Sequence, residues 1–182
     1  KNLRKIKNRS LIEITGKFIK KCKFIDYALI STDNNRIAKE GKRNGLDFIR
    51  RPKNISGDKV PDVKVILHAY RELIKKKKFY DLIIMLHPTS PLREKNDLKK
   101  AIKFLLKNKF DSVWTISSTD TKYHPDKQLI LDRNKIKFFT KKGKNIIARQ
   151  QLSKVYHRNS NAYVIDSKFL LKKKTLISKK TG

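Results

Sequence analysis

Three short polar clusters in this chain offer the groups a ligand site needs: Ser31-Thr32-Asp33, Arg50-Arg51-Pro52 and His87-Pro88-Thr89-Ser90-Pro91-Leu92-Arg93. Each presents hydroxyls, a carboxylate or a guanidinium directly after an apolar run. The third is the most telling. Leu82 to Leu86 is a continuous apolar stretch, too short for a membrane span and suited to a strand buried on both faces of a parallel sheet. Pro88 and Pro91 lack an N–H and cannot continue a central strand, so the chain must leave the sheet at His87. In open α/β sheets ligands bind in the crevice outside the carboxyl ends of the strands, where such groups would face a substrate. The alternative is a plain connector whose Thr89, Ser90 and Arg93 cap the next helix. On residue types alone both readings stand.

The elements that must position these clusters follow from periodicity. Leu11, Ile14, Phe18 and Cys22 recur at helical spacing behind Ser10 as N-cap, which predicts a helix over Leu11 to Lys21. Tyr27 to Ile30 reads as a buried strand. Ile37, Ala38 and Gly41 mark a helix ending at Asn44-Gly45, where glycine can take the left-handed conformation. Asp33 either caps that helix or meets substrate. Leu46 to Ile49 is the next strand, and the polar stretch from Arg50 to Asp58 is a loop. From Pro61, the stripe Val63, Ile66, Leu67, Tyr70 and Leu73 makes a helix, with His68 on its apolar face as a buried histidine. Beyond Leu82 to Leu86, a helix carries Leu98, Ala101, Ile102, Leu105 and Leu106, with Asn96 as candidate cap, and Ser112 to Ser117 is strand-like.

This alternation predicts an α/β fold with a mostly parallel sheet and helices on both faces. From Lys127 the rhythm changes. Gln128 to Leu131 and Lys135 to Phe139 flank Asp132-Arg133-Asn134 as a hairpin, and Ala162 to Ile165 is another short strand before a helix near Ser167 to Lys173. The division drawn is a core over residues 1–122 and a small β-rich lobe over residues 123–182.

Composition bounds the partners. With 182 residues the chain can bury a real core without staples, and the single cysteine, Cys22, excludes an internal disulfide. Four scattered histidines without partners at ligand spacing argue against zinc. The net charge of +31 comes from 47 basic against 16 acidic residues. A nucleic-acid binder gathers such charge on one face and interleaves aromatics. Here lysines are spread along the chain, as in Lys75 to Lys78 and Lys172 to Lys174, which fits a solvated surface shaped by compositional drift, although the field would attract any polyphosphate. No segment is long and apolar enough to span a membrane and none reads as a signal peptide, so the expected compartment is the cytoplasm. There is no Gly-x-Gly-x-x-Gly, no Walker loop and no Gly-x-Ser-x-Gly elbow. The chain opens at Lys1 without methionine and ends at Gly182 without a closing element, which reads as a fragment.

Six motifs in order, Lys1-Asn2-Leu3-Arg4, Ile30-Ser31-Thr32-Asp33, Arg50-Arg51-Pro52 with Asp58, Leu67-His68-Ala69, Pro88-Thr89-Ser90-Pro91-Leu92-Arg93 and Arg149-Gln150-Gln151-Leu152, resemble the acylneuraminate cytidylyltransferases, the CMP-sialic acid synthetases. The resemblance spans nearly the whole chain. It implies a three-layer Rossmann-like nucleotidyltransferase fold with a small dimerisation lobe. The implied reaction moves CMP from CTP to a nonulosonic acid with loss of pyrophosphate, for surface glycan synthesis. It also implies Mg²⁺ as cofactor and a homodimer, with no membrane or nucleic-acid partner. By resemblance Lys1 and Asn2 are catalytic, with Lys1 beside the phosphates and Asn2 against the nucleotide. Arg51 meets the cytosine, Val60 and Asp62 line the base and ribose, and His87, Lys127, Arg149 and Tyr163 face the sugar. Leu176 and Ile177 fall where a partner subunit closes the sugar pocket.

The plainer reading of each residue is kept beside this one. Lys127 and Arg149 read equally as surface cations, and Tyr163 as core of the small lobe. Arg51 stands better, because a planar guanidinium before a proline is pre-positioned to pair with a base carbonyl. The chain departs from the family pattern in four places. His87 stands where the family has Gln, changing hydrogen-bond geometry and adding a titratable group, and Ser160 stands where it has Gly. The Arg- and Gly-rich phosphate loop expected before Lys1 and the Asp-x-Asp metal pair are not in this sequence. The parent protein is therefore expected to be an enzyme, and this 182-residue chain a poorly active one lacking the Mg²⁺ ligands. Two alternatives remain: a nucleotidyltransferase for another ulosonic acid, such as an eight-carbon one, and a non-catalytic basic nucleic-acid-binding module.

Overall fold

The computed structural model describes residues 2–182. In chain order the elements are β1 (Lys5–Ile6), β2 (Arg9–Ser10), α1 (Leu11–Lys21), β3 (Leu29–Thr32), α2 (Asn35–Arg43), β4 (Asp47–Arg50), α3 (Asp62–Lys75), β5 (Leu82–Met85), α4 (Lys95–Asn108), β6 (Ser112–Ser118), β7 (Leu129–Asp132), β8 (Lys135–Phe138), β9 (Tyr156–Asp166) and α5 (Ser167–Lys173). They divide into two compact units, one built from the chain up to Thr115 together with Ser160–Gly182, the other from Ile116–Asn159. The sequence boundary at residue 122 followed the rhythm of elements, whereas these limits follow packing.

In the first unit β1 and β2 form a hairpin across Lys7 and Asn8, whose φ values of 45° and 64° give the two-residue turn that matches strand twist. Ser10 then caps α1, its hydroxyl accepting from the Glu13 N–H at 3.0 Å. The β3–α2–β4 segment is a parallel crossover unit, paired from Leu29↔Asp47 to Thr32↔Arg50. Asn34, not Asp33, caps α2: its Oδ1 accepts from the Arg36 and Ile37 N–H groups at 2.9 and 3.1 Å. The Asn96 expectation also fails, because the cap is Glu94, two residues earlier, and α4 begins at Lys95.

The expected mostly parallel sheet is mixed among the described pairings. β5 pairs antiparallel with β9, from Leu82↔Asp166 to Met85↔Tyr163, and β9 lies between β5 and β6. Ala162 to Ile165 is thus a central strand, not a strand of the small lobe. Its side chains alternate between two cores as a two-faced strand requires. Tyr163 and Ile165 pack with Ile66 and Leu67 of α3 and Phe169 and Leu170 of α5, while Ala162 and Val164 pack with Leu98, Ala101 and Leu105 of α4. β5 splits the same way, Ile83 and Met85 toward the first core and Leu82 and Ile84 toward the second. Helices therefore cover both faces, and the sheet's polar loops are left to form a site.

In the second unit β7 and β8 make the expected hairpin, paired from Leu129↔Phe138 to Asp132↔Lys135, with Arg133 and Asn134 at φ 45° and 68°. His124 is its buried polar centre. Its Nδ1 accepts from the Asp126 N–H at 3.1 Å, and Asp126 in turn accepts from the Thr140 hydroxyl at 2.6 Å.

Candidate functional site

The exit of β4 is organised by two arginines with different tasks. Arg50 is committed to the fold: it donates to the Asp33 carbonyl at 2.8 Å and to Asn35 Oδ1 at 2.6 Å, and lies over the Phe48 ring. Arg51 is only partly engaged. Its main-chain N–H extends the β3–β4 pairing to the Thr32 carbonyl at 3.0 Å, and its Nη2 stands 3.8 Å from Asp33 Oδ1. Its Nε is buried and makes no hydrogen bond in the described structure, and the same is true of Ser31 Oγ at the end of β3. Buried polar atoms without partners are costly and rare, and His68 Nδ1 and His124 Nε2 are in the same state among the described residues, so each of these atoms is open to a further partner.

The exit of β5 carries the second half of the site. His87 Nε2 lies 3.8 Å from Asp62 Oδ2 at the start of α3, and the His87 ring meets Tyr163 edge-on at 5.9 Å and 84°. Tyr163 is 4% exposed and packs on Trp114 at 4.9 Å. It is therefore core, packed beside the His87 ring. The loop beyond His87 is tied down within itself and to β9. The Ser90 N–H donates to the His87 carbonyl, and the Ser90 hydroxyl to the Ser160 carbonyl, both at 3.1 Å. Ser160 sits at φ 56°, the left-handed region that glycine tolerates best.

Asp62 and His87, assigned by resemblance to different substrates, are thus brought together within the first unit, with Tyr163 beside them. Val60 precedes α3 in a turn, its N–H donating to Gly57 at 3.1 Å. Asn2 is half-buried ahead of β1. Lys1 lies outside the described residues. Lys127 and Arg149 belong to the second unit, where both are exposed and neither makes an ion pair among the described residues. Leu176 packs in the first core and its carbonyl accepts from the Ser112 hydroxyl at 2.8 Å and the Trp114 indole at 3.1 Å, while Ile177 is 58% exposed.

Sequence reasoning missed three parts of this site. Arg93, expected to face a ligand or cap a helix, is 8% exposed and caps no helix, its guanidinium donating to acceptors of the protein. Asn161 contributes a carbonyl to Arg93, and the Thr115 hydroxyl exchanges hydrogen bonds with the Ala162 carbonyl and N–H at 3.0 and 2.9 Å. The adjacent buried run from Ala162 to Ile165 was the one available signal. As for Mg²⁺, no group of three or more His, Cys, Asp or Glu side chains clusters among the described residues. Asp33 and Asp62 each lie 3.8 Å from a basic group, Arg51 and His87 respectively.

A family model described as cytidylyltransferase matches residues 1–181. The chain belongs to the cytidylyltransferase family. It is 28% identical over 187 residues to the post-translational flagellin modification protein B of Campylobacter coli, covering all of this chain and 77% of that protein. It is 26% identical over 145 residues to the pseudaminic acid cytidylyltransferase of Campylobacter jejuni, covering 79% of this chain and 61% of that enzyme. Among solved structures, a CMP:2-keto-3-deoxy-manno-octonic acid synthetase complexed with CTP matches 98% of this chain and 72% of its own at a TM-score of 0.68 and 11% identity. A 4-diphosphocytidyl-2C-methyl-D-erythritol synthase from Anaerococcus prevotii matches 97% of this chain and 71% of its own at 0.59 and 18% identity. At such identities these two establish the shared mixed α/β nucleotidyltransferase fold. No helix of the described residues is long and apolar enough to cross a membrane.

Proposed function

We propose that this cytidylyltransferase-family chain transfers CMP from CTP to a nonulosonic acid. The observation that carries the reading is the grouping at the exits of β4 and β5: an Arg51 whose buried Nε has no partner, and a His87 held between Asp62 and Tyr163. In the reaction the sugar's anomeric hydroxyl attacks the α-phosphorus, a P–O bond forms to the sugar, and the bond to the pyrophosphate oxygen breaks. The protein's part is to align the two substrates and offset charge. Asn2, Arg51, Val60 and Asp62 are assigned to the nucleotide, Lys1 to its phosphates, and His87, Tyr163, Lys127 and Arg149 to the sugar acid. No residue is assigned to Mg²⁺.

The acceptor we favour is pseudaminic acid rather than the sialic acid suggested by the motifs, because two relatives over 79% of this chain carry that name. The test has two parts. Thermal unfolding with CTP, ATP, GTP or UTP should show a shift with CTP alone. Pyrophosphate release with pseudaminic acid, N-acetylneuraminic acid and an eight-carbon ulosonic acid, in this chain and in the full gene product, should be fastest with pseudaminic acid. A CTP response no larger than that of the other nucleotides, with no acid turned over by either protein, would overturn the reading.

The homodimer is part of the same proposal and draws on the second unit. All eight residues of β7 and β8 are exposed, and Leu131 and Ile136 are 73% and 68% exposed. A lone two-stranded hairpin is marginal in water and an exposed apolar patch of this kind marks a protein contact. Light scattering should give a dimer that Ile136→Lys weakens; an unaltered mass for both proteins refutes it.

A further inference from the structure

Arg93 is the least expected feature of the first unit: a buried cation with no carboxylate within ion-pair distance among the described residues. Its guanidinium is instead shared among three elements. Nη2 donates to the His87 carbonyl, Nε to the Asn161 carbonyl at 3.3 Å, and Nη1 to Thr15 Oγ1 at 3.4 Å. Thr15 is prepared for this, since its own proton goes to the Leu11 carbonyl at 2.8 Å and leaves its oxygen free to accept. The Phe18 ring lies 5.6 Å from the guanidinium carbon. Burial pushes the group down to about 10, so it remains charged at neutral pH.

We propose that Arg93 is a positioning residue for the acceptor sugar, fixing the main chain at His87 and Asn161 and thereby the spacing of the His87 and Tyr163 side chains. The inference rests on the function proposed above. Two of its three acceptors are the carbonyls that bracket the sugar wall: His87 itself, and Asn161 two residues before Tyr163 on β9. One rigid, planar fork sets both at once, whereas a lysine ammonium on a flexible stem cannot span all three acceptors. Fold stability alone does not call for an uncompensated buried charge, because apolar residues of similar size serve a core as well or better. What the charge supplies is directional grip on carbonyls that no apolar side chain can hold.

The test uses Arg93→Lys and Thr15→Val in the full chain, with CTP affinity and acceptor affinity measured separately by calorimetry, pseudaminic acid being titrated in the presence of CTP. Arg93→Lys should leave CTP affinity within about twofold while weakening the sugar acid by about tenfold or more, as misplacements near 1 Å cost up to about a hundredfold. Thr15→Val, which removes only the oxygen anchoring Nη1, should weaken the acid a few-fold with CTP unchanged. Equal loss of CTP and acid would make Arg93 merely structural and overturn the proposal, as would wild-type acid affinity in both variants. If Arg93→Lys does not fold, Thr15→Val decides alone. A wild-type chain that binds neither CTP nor the acid refutes the proposed function, and the role of Arg93 falls with it; a wild type that binds both, with unaltered variants, refutes only the role of Arg93.

Discussion

Replacing Ile165 by alanine asks whether β9 is the middle of the sheet or, as the sequence rhythm suggested, a strand of a small lobe. Ile165 is 0% exposed, pairs with Ile83 of β5, and packs on Ile66, Leu67, Phe169 and Leu170. The substitution removes three carbons, about 2.4 kcal/mol at about 0.8 kcal/mol each. The residual cavity raises the total to about 3–4 kcal/mol. For a chain of this size that lowers Tm by about 6–15 °C. Val164→Ala, on the opposite face and also 0% exposed, removes two carbons and should cost about 2–3 kcal/mol. Ile147→Ala, at a position 93% exposed in the second unit, should stay within about 0.5 kcal/mol. Urea titration followed through Trp114, the one tryptophan, reads these changes beside the Tyr163 wall. An Ile165→Ala cost below about 1 kcal/mol, well short of the cavity range, would refute the central placement of β9 and with it the anchoring of Tyr163.

Three further predictions follow from particular groups. His87→Gln should change the relative rates among sugar acids while CTP affinity holds, because His87 touches Asp62 only at 3.8 Å but faces Tyr163 directly; unchanged relative rates count against a specificity role. Tyr27 is pushed up to about 12 by burial first and then by its hydrogen bond to Asp47, above its ordinary value of 10.0. A raised folded value means that its contribution is full below pH 10.0 and lost as pH climbs through about 12, so Tyr27→Phe should flatten the alkaline fall in unfolding midpoint across that window. A parallel fall in both proteins would rule this out. Lys109 and Lys174 cap α4 and α5 at φ 51°, so glycine at either removes roughly 1 kcal/mol of left-handed strain, partly offset by glycine's chain entropy. Each should raise Tm by about 1–2 °C, and a lower Tm would count against strain at these caps.

How far the fold could be read from the sequence depended on whether the signal was local. α1 was legible to the residue because Ser10 and the Leu11, Ile14, Phe18 stripe lie within one helix, and the β7–β8 hairpin because Asp132-Arg133-Asn134 is turn chemistry between apolar runs. The β1–β2 hairpin was not, since two-residue strands have no period and its turn is Lys7-Asn8, without glycine. β9 was visible only in its apolar half. Its buried run from Ala162 to Ile165 has the same two-faced character as Leu82 to Leu86, but the polar start from Tyr156 to Asn161 hid the length that carries it into the sheet. At the site, the loop after β5 was legible from its prolines, and the polar exits of β4 and β5 from their position after strands. The pairing of His87 with Asp62 and the burial of Arg93 were not, because each depends on elements that meet only in the folded chain.

The glycines and the left-handed lysines together bear on the high charge. At two glycines a Cβ would have no room: at Gly16 it would lie 2.9 Å from Asn44 Cβ, and at Gly41 2.8 Å from Ile30 Cγ2. Lysine stands at four of the described non-glycine positions with positive φ, Lys7, Lys77, Lys109 and Lys174 at 45°, 55°, 51° and 51°, beside Asn8, Arg133, Asn134 and Ser160. The first kind of site costs a clash in packed surroundings, the second only about 1 kcal/mol at the surface. Lysine is thus tolerated at surface positions where only backbone strain opposes it. Arg93 marks the limit of that tolerance. A buried cation here must reach two carbonyls and a hydroxyl at once, which a planar guanidinium does and a single ammonium cannot.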